Sequence, residues 1–289
     1  MKTVIRTTSA GRKLGLITSI VTLRGGFVAT AIAIGCLLVL SATSSTAGMK
    51  CGNPNHGFGP PDRCGNPNHG FTPPNRCGNP NPGIAPPNSR PLGLSYNDWV
   101  IQVSEWYWSI PTTETPPTRV FGNMVVPPLA WLTGVTIPVT MKVGQWFIVP
   151  TCFNTWLNTP GDWGYTNSWS EAFTDDTGTT WPTYEAWVRE VMKEILDASH
   201  PTCTIDGKPV QNIDMYRMQT GLFDITVPED NAWGSWLPAG TYGPALTDGW
   251  FEILYPMTPG KHTVTNAIGE GQFVTYEITV TTGKHHCGK

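Results

Sequence analysis

The spacing of apolar and polar residues changes twice along this chain of 289 residues, and each change marks a boundary. Residues 27–40 form one apolar run, residues 51–90 hold almost no bulky apolar side chain, and residues 92–282 return to a dense, periodic pattern. Within the last segment two stretches have the period of an α-helix. Trp99, Val103, Trp106 and Ile110 recur on one face, after a capping-box-like Ser95 and Asp98 and before Pro111. Tyr184, Trp187, Val188, Val191, Met192, Ile195 and Leu196 line a second stripe, with Glu185, Arg189, Glu190, Lys193 and Glu194 facing away, between Pro182 and Pro201.

Elsewhere the period is two. Val274, Tyr276, Ile278 and Val280 alternate with Thr275, Glu277, Thr279 and Thr281, as a strand with one buried and one wet face requires. Further strands are predicted over 204–210 about an Asp206-Gly207 turn, and over 216–220, 222–227, 250–255 and 262–266. Residues 135–140 and 145–149, joined by Lys142-Val143-Gly144, read as a hairpin-like pair. Many short strands separated by Gly and Pro predict an all-β or β-rich α+β domain over 92–282. The expected form is a β-sandwich, Ig-like or jelly-roll-like, carrying two amphipathic helices.

The apolar run near the start belongs to a different physical problem. Residues 1–47 carry Lys2, Arg6, Arg12, Lys13 and Arg24 and no acid, then the apolar run, then Ser45-Thr46-Ala47. Basic, apolar and small residues in that order make a secretory signal, and the run is shorter than the roughly 20 residues that span a bilayer. Cleavage after Ala47 is expected, with an uncleaved anchor as the alternative and the only membrane attachment the chain offers. Cys36 reads as one more small apolar residue of the run. Five of the 18 basic residues leave with the signal, so 13 remain against 21 acids, a net charge of −8. That sign repels phosphate and argues against nucleic acid as a partner.

Residues 51–90 repeat. They read CGNPNHGFGPPDR, CGNPNHGFTPPNR and CGNPNPGIAPPNSR, with ten Pro and seven Gly in these 40 positions. So much Pro excludes a helix and cannot feed a sheet ladder. Phe58, Phe71 and Ile84 alone offer bulk, which predicts an extended arm over 48–91, ordered by cross-links or a partner.

Six cysteines remain outside the signal: Cys51, Cys64, Cys77, Cys152, Cys203 and Cys287. An even number in an exported chain points to disulfides, within or between chains. If the arm and the tail (283–289, containing His285-His286-Cys287) pair among themselves, Cys152 and Cys203 are left to bridge the domain. Cys51, His56, Cys64, His69 and Cys77 also carry soft ligands that suit zinc or copper. The third unit has Pro82 in place of His and no short C-x2-C occurs, so metal capture is the weaker reading beside disulfides or a plain spacer.

Several phrases of the domain together resemble a group of secreted bacterial proteins of uncharacterised function. They are Tyr96-Asn97-Asp98-Trp99, Glu105-Trp106-Tyr107-Trp108-Ser109-Ile110-Pro111, Val143-Gly144-Gln145-Trp146-Phe147-Ile148-Val149-Pro150, Ile205-Asp206-Gly207-Lys208-Pro209-Val210, Tyr216-Arg217 and Thr258-Pro259-Gly260-Lys261-His262-Thr263. The resemblance spans about residues 94–281. It implies a Trp-rich opening helix (Trp99, Trp106, Trp108), a β-sandwich ending in a Pro-Gly-Lys-His strand, and a place outside the cytoplasm. It lends no activity, so no catalytic residue is carried over.

Candidate chemistry is sparse. No G-x-S-x-G, H-E-x-x-H or P-loop occurs, and no pattern calls for a cofactor. Asp175-Asp176 and Glu229-Asp230 are adjacent acids in loop-like segments, and His262 could act as a base with Asp206 or Asp248. Aromatic loops are the stronger lead. Trp163 and Trp169, and Trp233 and Trp236, stand among Gly, Asn, Ser and Asp, a composition that suits stacking on sugar faces or on a neighbouring surface. The expectation is therefore a secreted, non-catalytic envelope or extracellular-matrix protein. It would bind a glycan or neighbour through Trp-rich loops, with disulfides of the arm as its tether and a disulfide-linked homo-oligomer as one outcome. The alternative is a secreted hydrolase of polysaccharide or ester substrates.

Overall fold

The computed structural model describes residues 79–111, 117–128, 134–231, 237–269 and 272–282, and the backbone of two dipeptides, β1 (Val21–Thr22) and β2 (Val28–Ala29), which pair antiparallel. The expected signal segment lies almost wholly outside the described residues. So do the first two repeats, Cys51, His56, Cys64, His69, Cys77, Trp233, Trp236 and Cys287.

Helix α1 (Tyr96–Trp108) opens on the expected capping box, with Ser95 and Asp98 bonded to each other's backbone N–H. Short strands β3 (Arg119–Phe121) and β4 (Met124–Val126) follow, then β5 (Val135–Lys142) and the 12-residue β6 (Trp146–Leu157). One helical turn, α2 (Trp163–Thr166), leads to the small hairpin β7 (Phe173–Thr174) and β8 (Thr180–Trp181). Helix α3 (Tyr184–Asp197) starts at Thr183, whose side chain accepts from the Ala186 N–H. The remainder is β9 (Pro201–Ile205), β10 (Lys208–Pro209), β11 (Arg217–Gln219), β12 (Phe223–Val227), β13 (Gly240–Leu254), β14 (Gly260–Ile268) and β15 (Gln272–Thr281). The fold is β-rich with amphipathic helices, as the periodicity predicts.

Two sheets carry it. One runs β11-β13-β6-β4-β3 with β12 also on β13, and the other runs β10-β9-β14-β15-β5. Phe147, Val149 and Leu254 of the first pack with Val139, Met141, Val264, Tyr276 and Ile278 of the second in one core. The opposite face of the first sheet is covered by α1, where Trp99, Val100, Val103 and Tyr107 meet Ile148, Phe153, Phe251 and Ile253. Because β6 and β13 outrun the second sheet, α3 covers their far ends, packing Val188 and Met192 on Trp156 and Leu246 and Leu196 on Cys152 and Trp250.

A bulge makes this shared face work. The register of β6 against β13 shifts between Trp250 and Phe251, paired with Cys152 and Pro150, so Thr151 is the extra residue. Before the bulge odd residues of β6 face the second sheet; after it Cys152 and Trp156 face α3. Gly249 lies opposite Phe153, where a Cβ would stand 2.3 Å from the Phe153 Cβ and 2.4 Å from the Cys152 carbonyl.

Three expectations are corrected. The 135–140/145–149 pair is not a hairpin. Strand β5 pairs parallel with β15 while β6 pairs with β13 and β4, so the connection arches between sheets. Apolar residues on both faces of β6 suit a strand covered on both sides, whereas β5 alternates. Strand β13 begins at Gly240, ten residues before the expected 250, because a Gly- and Pro-containing stretch is paired on both sides. Most consequential, the folded unit begins before residue 92. Ile84 and Ala85 are each 1% exposed, inside the core beneath α1.

Candidate functional site

Of the expected aromatic platform, the described members Trp163 and Trp169 pack against other rings. Trp169 is 5% exposed and stands edge-on to Tyr184 at 5.3 Å. Trp163, half-buried, lies 5.1 Å from Tyr184 and 5.2 Å from Phe173. These rings, with Trp156, Trp181 and Trp187, form a cluster that seals α3 against the ends of the long strands. Gly164 makes the packing achievable, since a Cβ there would meet the Tyr184 ring at 2.4 Å. Trp169 is thus withdrawn as a ligand-binding residue: core packing, not display, explains its position. Tyr165, 49% exposed, belongs to the same turn as Trp163 and escaped the sequence reading because Tyr is unremarkable in a loop.

The acid–base candidates are engaged in structural work. His262 Nε2 lies 2.9 Å from the Thr258 carbonyl oxygen, which has no proton to give, so Nε2 donates. Its Nδ1 lies 2.8 Å from Asp206 Oδ2. Burial lowers the pKa of His262, but the bonds to Asp206 and Thr258 outweigh it and raise the net value. With both ring nitrogens held by oxygens of the protein itself, the ring serves as the charged partner of Asp206 and offers neither nitrogen to a substrate. Asp206 in turn accepts from the Thr263 N–H and, against its partial burial, is held below the usual carboxylate range by His262 and that N–H. Asp206, with φ of 49°, and Gly207, with φ of 72°, form the expected two-residue turn between β9 and β10, so the pair fastens that turn to β14.

Asp248 is not beside His262. It is 1% exposed and gripped by Arg217 through two bonds of 2.9 Å, while Arg217 also bonds Asp197 of α3 and covers the Trp250 ring at 4.8 Å. Burial opposes the guanidinium charge, but the two carboxylates outweigh it and hold the proton more firmly than usual. Asp175 organises its turn, accepting from Thr177, Thr179 and Trp181, and the Thr177 and Trp181 bonds bring its carboxyl down to about 2. Glu229 is exposed in a loop.

Cys152 and Cys203 do not bridge. Cys152 packs with Leu196 and Trp250 under α3, Cys203 lies between the sheets with Val264 and Tyr276, and no disulfide occurs among the described residues. The strand periodicity places both inward but says nothing about which layer each meets. Nor is there a group of three or more Cys, His, Asp or Glu able to hold a metal among the described residues.

One buried acid was not foreseen. Glu252 is fully buried, its Oε2 accepting from the Thr151 hydroxyl at 2.5 Å while Oε1 has no partner. Burial pushes its carboxyl up to about 8, the Thr151 bond opposing. Burial and the nearby Glu252 likewise raise the Cys203 thiol. The bulge aims Thr151 inward to meet the acid; a residue pattern read as a strand cannot reveal that turn of the side chain. At neutral pH Glu252 is a proton-bearing core residue, enclosed by two sheets.

The arrangement with a recognition character is the seat of the third repeat. Ile84 pairs with Leu254 in an isolated antiparallel bridge, the Ala85 N–H donates to the Ile253 carbonyl at 2.8 Å, and the Tyr255 N–H donates to the Gly83 carbonyl at 3.1 Å. Asn81 uses its side chain as a peptide group: Nδ2 donates to the Gln211 carbonyl and Oδ1 accepts from the Gln211 N–H, both at 2.8 Å. Nδ2 also reaches the Tyr216 hydroxyl at 3.1 Å. Asn79 shapes the segment from within, its Nδ2 donating to the Ile84 carbonyl and its Oδ1 accepting from the Asn81 N–H. The Tyr96 hydroxyl closes the seat, donating to the Ala85 carbonyl and accepting from the Ile253 N–H. Asn side chains therefore supply the pairing that Pro80 and Pro82 cannot. Hydrophobic bulk along the repeat gives no sign of this pairing, whose only local signal is the paired Asn79 and Asn81.

Compared with protein-family models, curated proteins and solved structures, the chain matches none. Among the described residues no helix is long and apolar enough to cross a membrane.

Proposed function

We propose that this chain is an exported, non-catalytic attachment protein: a rigid β-rich domain held in an envelope or extracellular matrix by its Cys-Gly-Asn-Pro-Asn arm. The observation that carries the reading is the clamped third repeat. A plain spacer has no need of side chains that grip the domain, whereas a tether under load must transmit force into a sheet, and residues 83–85 join the end of β13 at Ile253 and Leu254 and the following Tyr255. The leader-like residues 1–47, the resemblance to secreted bacterial proteins and the repeated Cys51, Cys64 and Cys77 support an extracytoplasmic place and a disulfide-linked homo-oligomer. The engagement of His262, Asp206, Asp248 and Asp175 in structural bonds weighs against the hydrolase alternative, and Glu252, the acid with the raised pKa, is 0% exposed.

Contact with a glycan or neighbouring surface is assigned to Trp163, Trp233 and Trp236, with the exposed Tyr165 added. The test is retention. Wild-type protein should resist extraction without reductant and migrate as a disulfide-linked species on a non-reducing gel. A Cys51→Ser, Cys64→Ser, Cys77→Ser variant should be released and migrate as monomer. Equal extraction and migration of the two would overturn the tether. A polysaccharide pull-down in which a Trp163→Ala, Tyr165→Ala, Trp233→Ala, Trp236→Ala variant binds as well as wild type would remove the glycan contact.

A further inference from the structure

The chain contains three copies of the segment that fills the seat and one seat. The groups by which the third repeat docks are those the other repeats share. Asn79 corresponds to Asn53 and Asn66, Asn81 to Asn55 and Asn68, Gly83 to Gly57 and Gly70, and Pro86 to Pro60 and Pro73. The conspicuous difference, Pro82 where the others have His56 and His69, falls at an exposed position, so the imidazole would meet solvent. Two differences fall inside. Ile84 becomes Phe58 or Phe71 and Ala85 becomes Gly59 or Thr72, at positions each 1% exposed. Gly59 fits beneath Tyr96 without added volume and Thr72 does not, so the first repeat is the better second ligand. A Phe in the Ile84 pocket overpacks it, which makes each surplus repeat a weaker ligand than the resident one, so that its docking grows with protein concentration.

We infer that the seat formed by Tyr96, Gln211, Tyr216, Ile253, Leu254 and Tyr255 is a recognition site for the Asn-Pro-Asn-x-Gly-apolar segment, and that the first repeat of one chain docks in the seat of a second copy of this chain. Docking in either mode unseats the resident Ile84 of the acceptor seat, and docking within one chain must in addition loop out the 25 residues between Phe58 and Ile84. Docking between chains exchanges one repeat for another and leaves no seat empty. Because donor arm and acceptor seat are different surfaces, the contact is head-to-tail and can continue along a row of molecules. Several such arms acting together raise avidity without a tighter single contact. The inference rests on the attachment reading and adds to it a non-covalent link that needs no cysteine.

The test is run in reductant, so that failure of the disulfide tether and failure of the docking are separate results. In sedimentation velocity the exported chain, residues 48–289, should show oligomers that grow with concentration. Its Asn55→Ala, Asn68→Ala variant, altered outside the folded unit, should remain monomeric. In anisotropy, a labelled 51–63 peptide carrying Cys51→Ser should bind the full chain whose own clamp is loosened by Asn81→Ala. The same peptide with Asn55→Ala should bind at least tenfold more weakly, as expected when a two-bond amide clamp is lost. The inference is overturned if wild type and the Asn55→Ala, Asn68→Ala variant sediment alike, or if the two peptides bind equally or not at all.

Discussion

Replacing Glu252 by Gln should stabilise the protein at neutral pH and leave it nearly unchanged in mild acid. The side chain is enclosed between the sheets and its carboxyl titrates at about 8, against an ordinary value of 4.5. The sign follows from proton counting. Between those two values the folded state holds a proton that the unfolded state has released, so stability falls as pH rises through this window and is fully present below it. Each pH unit costs about 1.4 kcal/mol, which accumulates to about 3 kcal/mol by pH 7. Gln keeps the shape of the acid, can still bond Thr151 through its amide, and never ionises. Urea unfolding of wild type and Glu252→Gln at pH 4, 5, 6, 7 and 8 should therefore give two lines that meet in acid and diverge upward, with the variant above. Parallel lines across the whole range would refute the reasoning, because they would mean that Glu252 is no longer held protonated by its surroundings.

Three further outcomes test other parts of the structure. Gly249→Ala should cost about 3 kcal/mol in denaturant unfolding, since the added Cβ meets the main chain of β6 at 2.4 Å; a change below about 0.5 kcal/mol would contradict the close approach. Arg217→Met should lower stability by about 3 kcal/mol, because it leaves the buried Asp248 carboxylate without its counter-charge and with the Gln219 amide as its side-chain donor; an unchanged thermal midpoint would show that the ion pair is dispensable. Asp206→Asn should lower the His262 titration midpoint followed by NMR, and wild type should draw stability from this pair between about pH 4 and 6.5, losing it below as Asp206 takes a proton and above as His262 gives one up. A His262 midpoint that does not move in the variant would separate the two groups.

What the residues alone determined is periodic or local. The Ser95–Asp98 cap and the stripe of α3 needed only neighbours within a turn, and the alternation of β15 needed only a wet and a dry side. The Asp206-Gly207 turn needed only two residues able to adopt positive φ. What tertiary structure decided is which layer each inward residue meets. Nothing local tells Val139 that its partner is Phe147 across a core instead of along a hairpin, or separates Cys152 under α3 from Cys203 between the sheets. The extra residue Thr151 reverses the parity of β6, so a simple alternation argument fails beyond it. The third repeat shows the same limit from the other side. Its sequence offers too little apolar area to order itself, yet Asn81 finds the main chain of a residue 130 positions away. Hydrogen bonds of that separation become favourable only after the domain has fixed both ends, which is why the fold class was legible and the seat was not.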